Sequence, residues 1–291
     1  MELRVLRYFL AVAQEESISG AAEYLHLTQP TLSRQLMDLE QEIGKKLFLR
    51  GKRKVTLTEE GILLRKRATE ILELLEKTER ELHAENSVSG DIYIGGGETD
   101  AMRLIAQVAR QMQQEHPRTR YHLYSGNADD VTERLDKGLL DFGVLIEPAN
   151  IQKYEYLKLP AVDTWGVLMR SDSPLAAQEA VHPEDLWDLP LLISRQSLAK
   201  ESLSKWLRRD LESLNIVATY NLVYNASLLV EEGLGYALCL DKLVNTTGSS
   251  RLCFRPLTPR LEVGMDIVWK KYPVFSKAAE RFLHHLQQTF C

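Results

Sequence analysis

The sequence predicts a multidomain α+β protein with an N-terminal winged helix-turn-helix, a long linking helix and a C-terminal α/β region. Three observations support this fold class. A helix of small residues, a short turn and a polar amphipathic helix follow one another within residues 17–48. Neither proline nor glycine interrupts residues 62–88, which favours one continuous helix. Beyond residue 90, apolar runs typical of strands alternate with helical patterns, as in α/β architectures. Among these elements, strands are predicted over residues 156–159 and 165–169, on either side of Pro160, and a short helix over residues 226–232.

The first helix is predicted over residues 3–15, where apolar side chains recur at helical spacing, and it should pack behind the next two. Ser17 or Ser19 can cap the second helix through its hydroxyl group. Pro30 falls in the first turn of the third helix, where its missing N–H costs no hydrogen bond. The buried side of the third helix is predicted to comprise Leu32, Leu36, Leu39 and Ile43.

The other side of the third helix is polar, and its side chains are predicted to read DNA. They are Gln29, Thr31, Ser33, Arg34 and Gln35. In the major groove, glutamine can pair with adenine, arginine with guanine, and serine or threonine with either. The alternative is a core helix whose polar side is merely solvated. The preceding helix and turn, together with the basic hairpin that follows, favour the DNA-reading interpretation.

Residues 47–61 predict that hairpin, with two short strands on either side of a turn at Gly51. Basic residues are concentrated at its tip, and four are predicted phosphate contacts: Arg50, Lys52, Arg53 and Lys54. A charge run alone usually marks only a solvated surface. Next to a recognition helix, it has the right sign and place to contact the DNA backbone.

The ordered segments AAEYLHLTQPTLSRQL, LEQEIGKKLFLR and LTEEG resemble the DNA-binding domain of LysR-type transcriptional regulators. The resemblance is strong over residues 1–84 and looser beyond them. It implies a linker helix that pairs antiparallel with that of a second subunit, and a two-lobed effector-binding region with the periplasmic-binding-protein fold. The implied domains are residues 1–58 (winged helix-turn-helix), 59–89 (linker and dimerisation helix) and 90–291 (regulatory domain, with lobe I at 91–160 and 267–291 and lobe II at 161–266).

The resemblance also implies a ligand cleft between the lobes, since open α/β sheets bind ligands beyond the carboxyl ends of their strands. The predicted effector-binding residues are Gly97, Glu98, Thr99, Gly126, Asn127 and Glu147 from the first lobe, and Gln196, Ser197, Asn225, Ala226 and Ser227 from the second. Glu98 and Glu147 would repel a carboxylate. A cationic, zwitterionic or neutral ligand therefore stays open, as does an empty cleft, while Arg195 could restore affinity for an anion.

The glycine run at residues 95–97 has two interpretations of similar weight. It could place backbone N–H groups around an anion, or it could simply form a tight turn. It is not a dinucleotide fingerprint, because Asp100 stands where the third glycine is required, and it lacks the lysine of a P-loop.

Composition argues against a cofactor, a metal site or an enzyme. Cys239, Cys253 and Cys291 are scattered, which predicts neither a disulfide framework nor a zinc site, and Cys239 is expected to be buried. The seven histidines form no catalytic motif. His284 and His285 are adjacent on the terminal helix, point to different sides and are predicted to be a poor ligand pair.

The sequence therefore predicts a transcription regulator that responds to a ligand. Its net charge of −5 means that any DNA contact must be local. Lacking a signal region or a spanning stretch, it is expected to be cytoplasmic, without membrane contact. Its expected partners are double-stranded DNA, a small-molecule effector and further copies of itself as a dimer or, by resemblance, a tetramer. RNA polymerase is a further candidate partner.

Two alternatives belong to other functional classes. One is a small-molecule-binding module whose helix-turn-helix-like domain only dimerises, and the other is an enzyme built on a binding-protein fold. Salt-dependent binding to duplex DNA would separate the regulator from both.

Overall fold

The computed structural model describes residues 1–51, 54–83, 89–198 and 201–290. Contacts divide the chain into an N-terminal unit, Met1–His83, and a C-terminal unit, Ala84–Cys291. The elements of the N-terminal unit are α1 (Leu3–Glu15), α2 (Ile18–Tyr24), α3 (Gln29–Ile43), β1 (Phe48–Arg50), β2 (Val55–Leu57) and α4 (Glu59–His83).

The N-terminal unit is built around a small apolar core shared by its helices and its hairpin. Phe9, Leu36 and Leu47 are almost fully buried in it. Two residues of the predicted apolar sides, Leu3 and Ile43, are instead 42% and 39% exposed. Both lie at a helix end, beyond the reach of the elements that cover the middle of each helix.

The C-terminal unit alternates strands and helices, as predicted. Its elements are β3 (Gly90–Gly96), α5 (Met102–Glu115), β4 (Thr119–Ser125), α6 (Ala128–Asp136), β5 (Phe142–Ile146), β6 (Tyr154–Arg170), β7 (Leu191–Ser194), α7 (Arg195–Leu198), α8 (Glu201–Leu207), β8 (Ile216–Tyr220), α9 (Val223–Glu231), β9 (Tyr236–Leu240), β10 (Leu252–Pro256), β11 (Glu262–Lys270) and α10 (Lys277–Phe290). Short 3₁₀ helices occur at Pro174–Ala177, Pro183–Leu186 and Leu211–Ser213.

In the described part of this unit, the strands form one nine-stranded sheet. Its order is β4-β3-β5-β11-β6-β9-β7-β8, and β10 pairs separately with β6. Strands β3, β4 and β5 are parallel to one another, and so are β7, β8 and β9. The long antiparallel strands β6 and β11 join these two parallel groups, which are the two lobes.

Each lobe has helices on both sides of its part of the sheet. In the first lobe, α5 and α10 cover one side around Phe142 and Phe282, while α6 covers the other around Val131. In the second lobe, α8 packs around Leu203 on one side and α9 around Val230 on the other. Both lobes are therefore three-layered. Among the described helices, none is both long enough and apolar enough to cross a membrane.

The sequence suggested two strands on either side of Pro160, but the structure has a single strand, β6. The register between β6 and β11 shifts between Gly264 and Met265, so Pro160 and Ala161 form a bulge in β6 without partners on β11. A bulge tolerates proline because it interrupts the ladder of hydrogen bonds locally. The bulge lies beside the predicted lobe boundary at residues 160/161, and the exact domain and lobe limits stay predictions.

Candidate nucleic-acid interface and ligand cleft

Local backbone contacts fix the geometry of α2, the turn and α3. The Ser17 hydroxyl oxygen accepts from Gly20 N at 3.2 Å, so Ser17 caps α2. His26 has a φ of 54°, and Leu27 N donates to Ala22 O at 2.8 Å, which turns the chain into α3. Thr28 precedes α3, but its hydroxyl bonds to that of Thr31 at 2.8 Å and caps no backbone group.

The predicted DNA-reading side chains all lie on the accessible side of α3. Gln29, Thr31 and Arg34 are exposed, while Ser33 and Gln35 are half-buried. Arg34 has no ion pair within the described part of the chain. Its guanidinium group is therefore available to an external partner.

The hairpin after α3 is a wing formed by β1 and β2. The strands are antiparallel, with Phe48 opposite Leu57, and Gly51 N donates to Lys54 O at 2.9 Å across the turn. Lys54 is exposed and forms an ion pair with Glu16 at the end of α1. The side chain of Arg50 and the whole of Lys52 and Arg53 lie outside the described residues.

A buried carboxylate that the sequence analysis missed connects α3 to the wing. Glu40 is 5% exposed and accepts from Leu47 N at 2.8 Å, Phe48 N at 3.2 Å and Lys46 Nζ at 2.9 Å. Burial raises the pKa of Glu40, but these hydrogen bonds outweigh it, and the pKa lies below its usual value. The sequence did contain a signal for this buried carboxylate. Glu40 follows Leu36 by four residues, and this spacing places it on the buried side of α3.

The lobes of the C-terminal unit enclose a cavity of about 70 Å³. Seven of the predicted effector-binding residues line it: Gly97, Glu98, Gly126, Asn127, Glu147, Gln196 and Ser197. Residues that the sequence analysis did not assign to the cleft also line it: Ile146, Trp165, Ser194, Tyr220, Asn221, Val223, Cys239, Leu240, Leu243 and Val263. Tyr220 and Asn221 lie at the carboxyl end of β8, which ends at Tyr220, and this is where open α/β sheets bind ligands.

Polar groups around this cleft contact one another. Val223 N, at the start of α9, donates to the Glu98 carboxylate in the opposite lobe. Thr99 Oγ1 donates to Asp163 Oδ2 at 2.6 Å, also between lobes. Lys158 Nζ donates to Glu147 Oε1 at 3.0 Å. The cleft is therefore narrow and held by its own side chains.

Asp163, the partner of Thr99, lies in an environment that is unfavourable for negative charge. Its side chain is almost completely buried. Burial raises the pKa of Asp163, and the nearby negative charge of Asp241 raises it further, while the hydrogen bond from Thr99 opposes both.

Four predicted effector-binding residues do not line the cavity. Thr99 is buried against Asp163, and Asn225, Ala226 and Ser227 lie within α9. The sequence placed the start of this helix at Ala226, whereas α9 begins at Val223, so the residues at its start border the cleft instead. Arg195 is exposed and is not among the lining residues.

Cys239 is buried, as predicted, and lies between the cleft and the core of the second lobe. Burial raises the pKa of its thiol to about 12. Cys253 is half-buried, and burial raises the pKa of its thiol as well. Neither is a ready nucleophile. Cys291 lies outside the described residues.

Comparisons with known proteins match both units of the chain. The family pattern described as "Bacterial regulatory helix-turn-helix protein, lysR family" matches residues 3–62. The pattern of the "LysR substrate binding domain" matches residues 85–291. The Hca operon transcriptional activator HcaR of Escherichia coli K12 is 32% identical over 281 residues, which cover 93% of this chain and 92% of that protein.

Solved structures resemble the whole chain. The crystal structure of CbnR, a LysR family transcriptional regulator, has a TM-score of 0.79 at 22% identity and covers 100% of both chains. Full-length CbnR complexed with its target DNA has a TM-score of 0.77 at 20% identity and covers 99% of this chain and 100% of that chain. At these identities the likeness concerns the fold.

Proposed function

Because the chain belongs to the LysR family of transcriptional regulators, we propose that it works in the cytoplasm as a homodimer whose two reading heads bind an operator with two half-sites. Family membership gives it a DNA-binding helix-turn-helix and an effector-binding domain. The observation that carries the proposal is the exposed polar side of α3 beside a wing. The same proposal holds that the protein regulates transcription without catalysing a reaction.

In this proposal, α3 supplies base contacts and the wing supplies backbone contacts. Arg34, Gln29 and Gln35 can form bidentate pairs with base edges, and Thr31 and Ser33 can add single hydrogen bonds. Arg50, Lys52, Arg53 and Lys54 would neutralise phosphates, which adds affinity without sequence preference. Lys54 would exchange its ion pair with Glu16 for a phosphate.

Dimerisation is supported by the apolar side chains exposed on α4. Leu63, Ile71, Leu74 and Leu82 are 59%, 39%, 41% and 80% exposed and recur along the helix. An apolar stripe on a long helix is stabilised by packing against a second helix. We assign that role to α4 of a second subunit. Assembly into a tetramer and contact with RNA polymerase stay predictions.

The cleft suits an effector that is neutral or cationic. Two carboxylates, Glu98 and Glu147, line it, and no lysine, arginine or histidine appears among its described lining residues. Glu147 is paired with Lys158 outside the lining, whereas Glu98, within the described part of the chain, accepts from a backbone N–H only. The start of α9, which could otherwise receive an anion, is already occupied by the Glu98 carboxylate. The Ser197 hydroxyl group is largely buried, lines the cavity and is available as a hydrogen-bond partner for a ligand.

The test is DNA footprinting of the full chain on the region flanking its own gene, at two salt concentrations. We expect a discrete protected region with dyad symmetry that persists at the higher salt. Arg34→Ala should weaken operator binding by about 1–3 kcal/mol and leave non-specific binding unchanged. Lys52→Ala should weaken binding to all sequences and reduce the salt slope by about 1.

Arg110→Ala is the matched control, because it removes an exposed arginine from α5 in the other unit. It should leave the footprint unchanged. Operator affinity that survives Arg34→Ala would contradict the role of α3. Only diffuse binding that vanishes with salt would instead favour a ligand-binding module whose N-terminal unit only dimerises.

A further inference from the structure

A second group of polar side chains lies in the first lobe, where α10 packs against the end of α5. Glu115 is the last residue of α5, His116 is its C-cap, and His285 lies on the buried side of α10. One potential ligand atom from each of these residues lies within 4.8 Å of the others. None of the three lines the cleft between the lobes.

Several polar atoms in this corner are buried without a partner. The Nε2 atoms of His116 and His285 are shielded from solvent and have no hydrogen-bond partner among the described residues. The nearest carboxylate oxygen to His285 Nε2 in an ion-pair contact is Glu115 Oε2, at 3.5 Å. The His285 side chain as a whole is only 8% exposed. Thr119 Oγ1 is unpartnered too, and Thr119 N bonds to His116 O at 3.0 Å. Buried polar atoms are nearly always satisfied, so the two imidazole nitrogens beside Glu115 point to a bound species.

Their chemistry identifies the class of that species. Two imidazole nitrogens and a carboxylate oxygen suit zinc, copper or nickel, whereas magnesium and calcium prefer oxygen alone. Zinc sites with three protein ligands keep a further position for water. Glu115 is exposed, so that position would be open to solvent. Zinc bonds of roughly 2.0–2.2 Å place donors about 3.3 Å apart, within reach of small side-chain rotations.

We propose that Glu115, His116 and His285 bind one divalent transition-metal ion of the zinc class, with water completing its coordination. The ion would link the end of α5 to α10. This proposal does not depend on operator reading or on the effector. Because His284 and His285 point to different sides of α10, only His285 can take part.

The surrounding charges are compatible with this site. Burial lowers the pKa of His285, and the carboxylate of Glu115 only partly opposes that shift, while Arg281, His116 and His284 add to it. Burial favours the neutral imidazole, which is the form that binds metals. Arg281 competes for Glu115, but its Nη2 lies 3.9 Å from Oε2 and its side chain is 42% exposed, so it can move aside.

The experiment is calorimetric titration of the metal-free full chain with Zn²⁺, together with visible spectra after Co²⁺ addition. We expect one Zn²⁺ per chain, a raised Tm and a Co²⁺ absorption band. Glu115→Gln and His285→Gln should each weaken Zn²⁺ binding by about tenfold or more. Glu115 is exposed, so Glu115→Gln tests the site even if the buried His285 variant fails to fold.

His284→Gln is the matched control, because this exposed neighbour lies on the same helix outside the ligand group. It should keep wild-type affinity and stoichiometry. The proposal is overturned if wild-type protein binds no Zn²⁺ up to millimolar concentration. It is equally overturned if Glu115→Gln binds Zn²⁺ as tightly as the His284→Gln control does.

Discussion

The reading helix and the cleft between the lobes both present polar side chains, but these are differently engaged. On α3, Gln29 and Arg34 are exposed and extend from a helix whose other side is buried. In the cleft, Glu98 is already bonded to Val223 N of the opposite lobe, and the next residue, Thr99, is buried and bonded to Asp163. The α3 surface is accessible to a partner, whereas these polar groups of the cleft already bond to other residues of the same chain.

This difference separates two ways of binding. The α3 surface is preformed, so its accuracy depends on the rigidity of the packing beneath it. The cleft can enlarge only if contacts between its lobes are exchanged for contacts with a ligand. Ligand binding and lobe arrangement are therefore coupled, since a ligand shifts a conformation only through differential affinity.

The largest expected effect tests the packing beneath the reading helix. Gly61 lies in the first turn of α4, where a Cβ atom would stand 2.2 Å from Leu47 O and 3.0 Å from Leu57 Cδ2. Gly61→Ala should lower the free energy of unfolding of the N-terminal unit by roughly 3 kcal/mol, because backbone must move. Urea unfolding of the full chain, followed by circular dichroism, measures this.

Gly20→Ala is the matched control in α2, where the nearest atoms to a new Cβ are at an ordinary 3.6 Å. Alanine in place of glycine within a helix should stabilise by roughly 0.5–1 kcal/mol. The two changes should therefore have opposite signs. Equal effects would mean that the wing and α4 do not pack closely at Gly61.

The second expected effect concerns the contact between α3 and the wing. Glu40→Gln should cost about 2 kcal/mol at neutral pH, because a charged acceptor of two backbone N–H groups and Lys46 is lost. The folded-state pKa of Glu40 lies below 4.5. Its charge therefore stabilises the fold above that value, and this contribution disappears as pH falls through the lower folded-state pKa.

Thermal unfolding across the acid range should show the difference between wild type and Glu40→Gln shrinking as pH falls. Glu23→Gln, at an exposed position of α2, should match wild type throughout. A constant difference between wild type and Glu40→Gln would show that the carboxylate charge has no part in fixing the wing.

The sequence predicted α1 at its observed limits and placed α3 and the wing, because local spacing, turns and caps determine these elements. It missed the start of α9, since the residue before that helix, Leu222, provides no side-chain cap. It also predicted two strands on either side of Pro160 instead of the single strand β6, because the bulge that accommodates the proline is visible only in the pairing with β11.

The candidate sites were predictable to a similar, partial extent. Residues that end strands could be named from sequence, and Gly97, Asn127 and Gln196 do line the cavity. Contacts between distant residues could not be named. Glu98 accepts from Val223 N only because the sheet brings the two lobes together. His116 lies near His285 only because α10 packs against the end of α5.

The smallest expected effect tests whether contacts between the lobes contribute to stability. Thr99→Val removes the donor to Asp163 and should cost about 1–2 kcal/mol in the C-terminal unit. Burial has already raised the folded-state pKa of Asp163, so stability falls as pH rises through that value. Without the Thr99 hydroxyl this fall should deepen, and the difference from wild type should widen with pH.

Thr219→Val is the control, because Thr219 is exposed in β8, where valine suits a strand. It should change the free energy of unfolding by less than about 0.5 kcal/mol. If Thr99→Val were as mild as this control at every pH, the contact with Asp163 would not stabilise the fold. Breaking this contact would then carry no cost in stability, and only the other contacts of the cleft, such as that of Glu98 with Val223 N, would distinguish it from the reading helix.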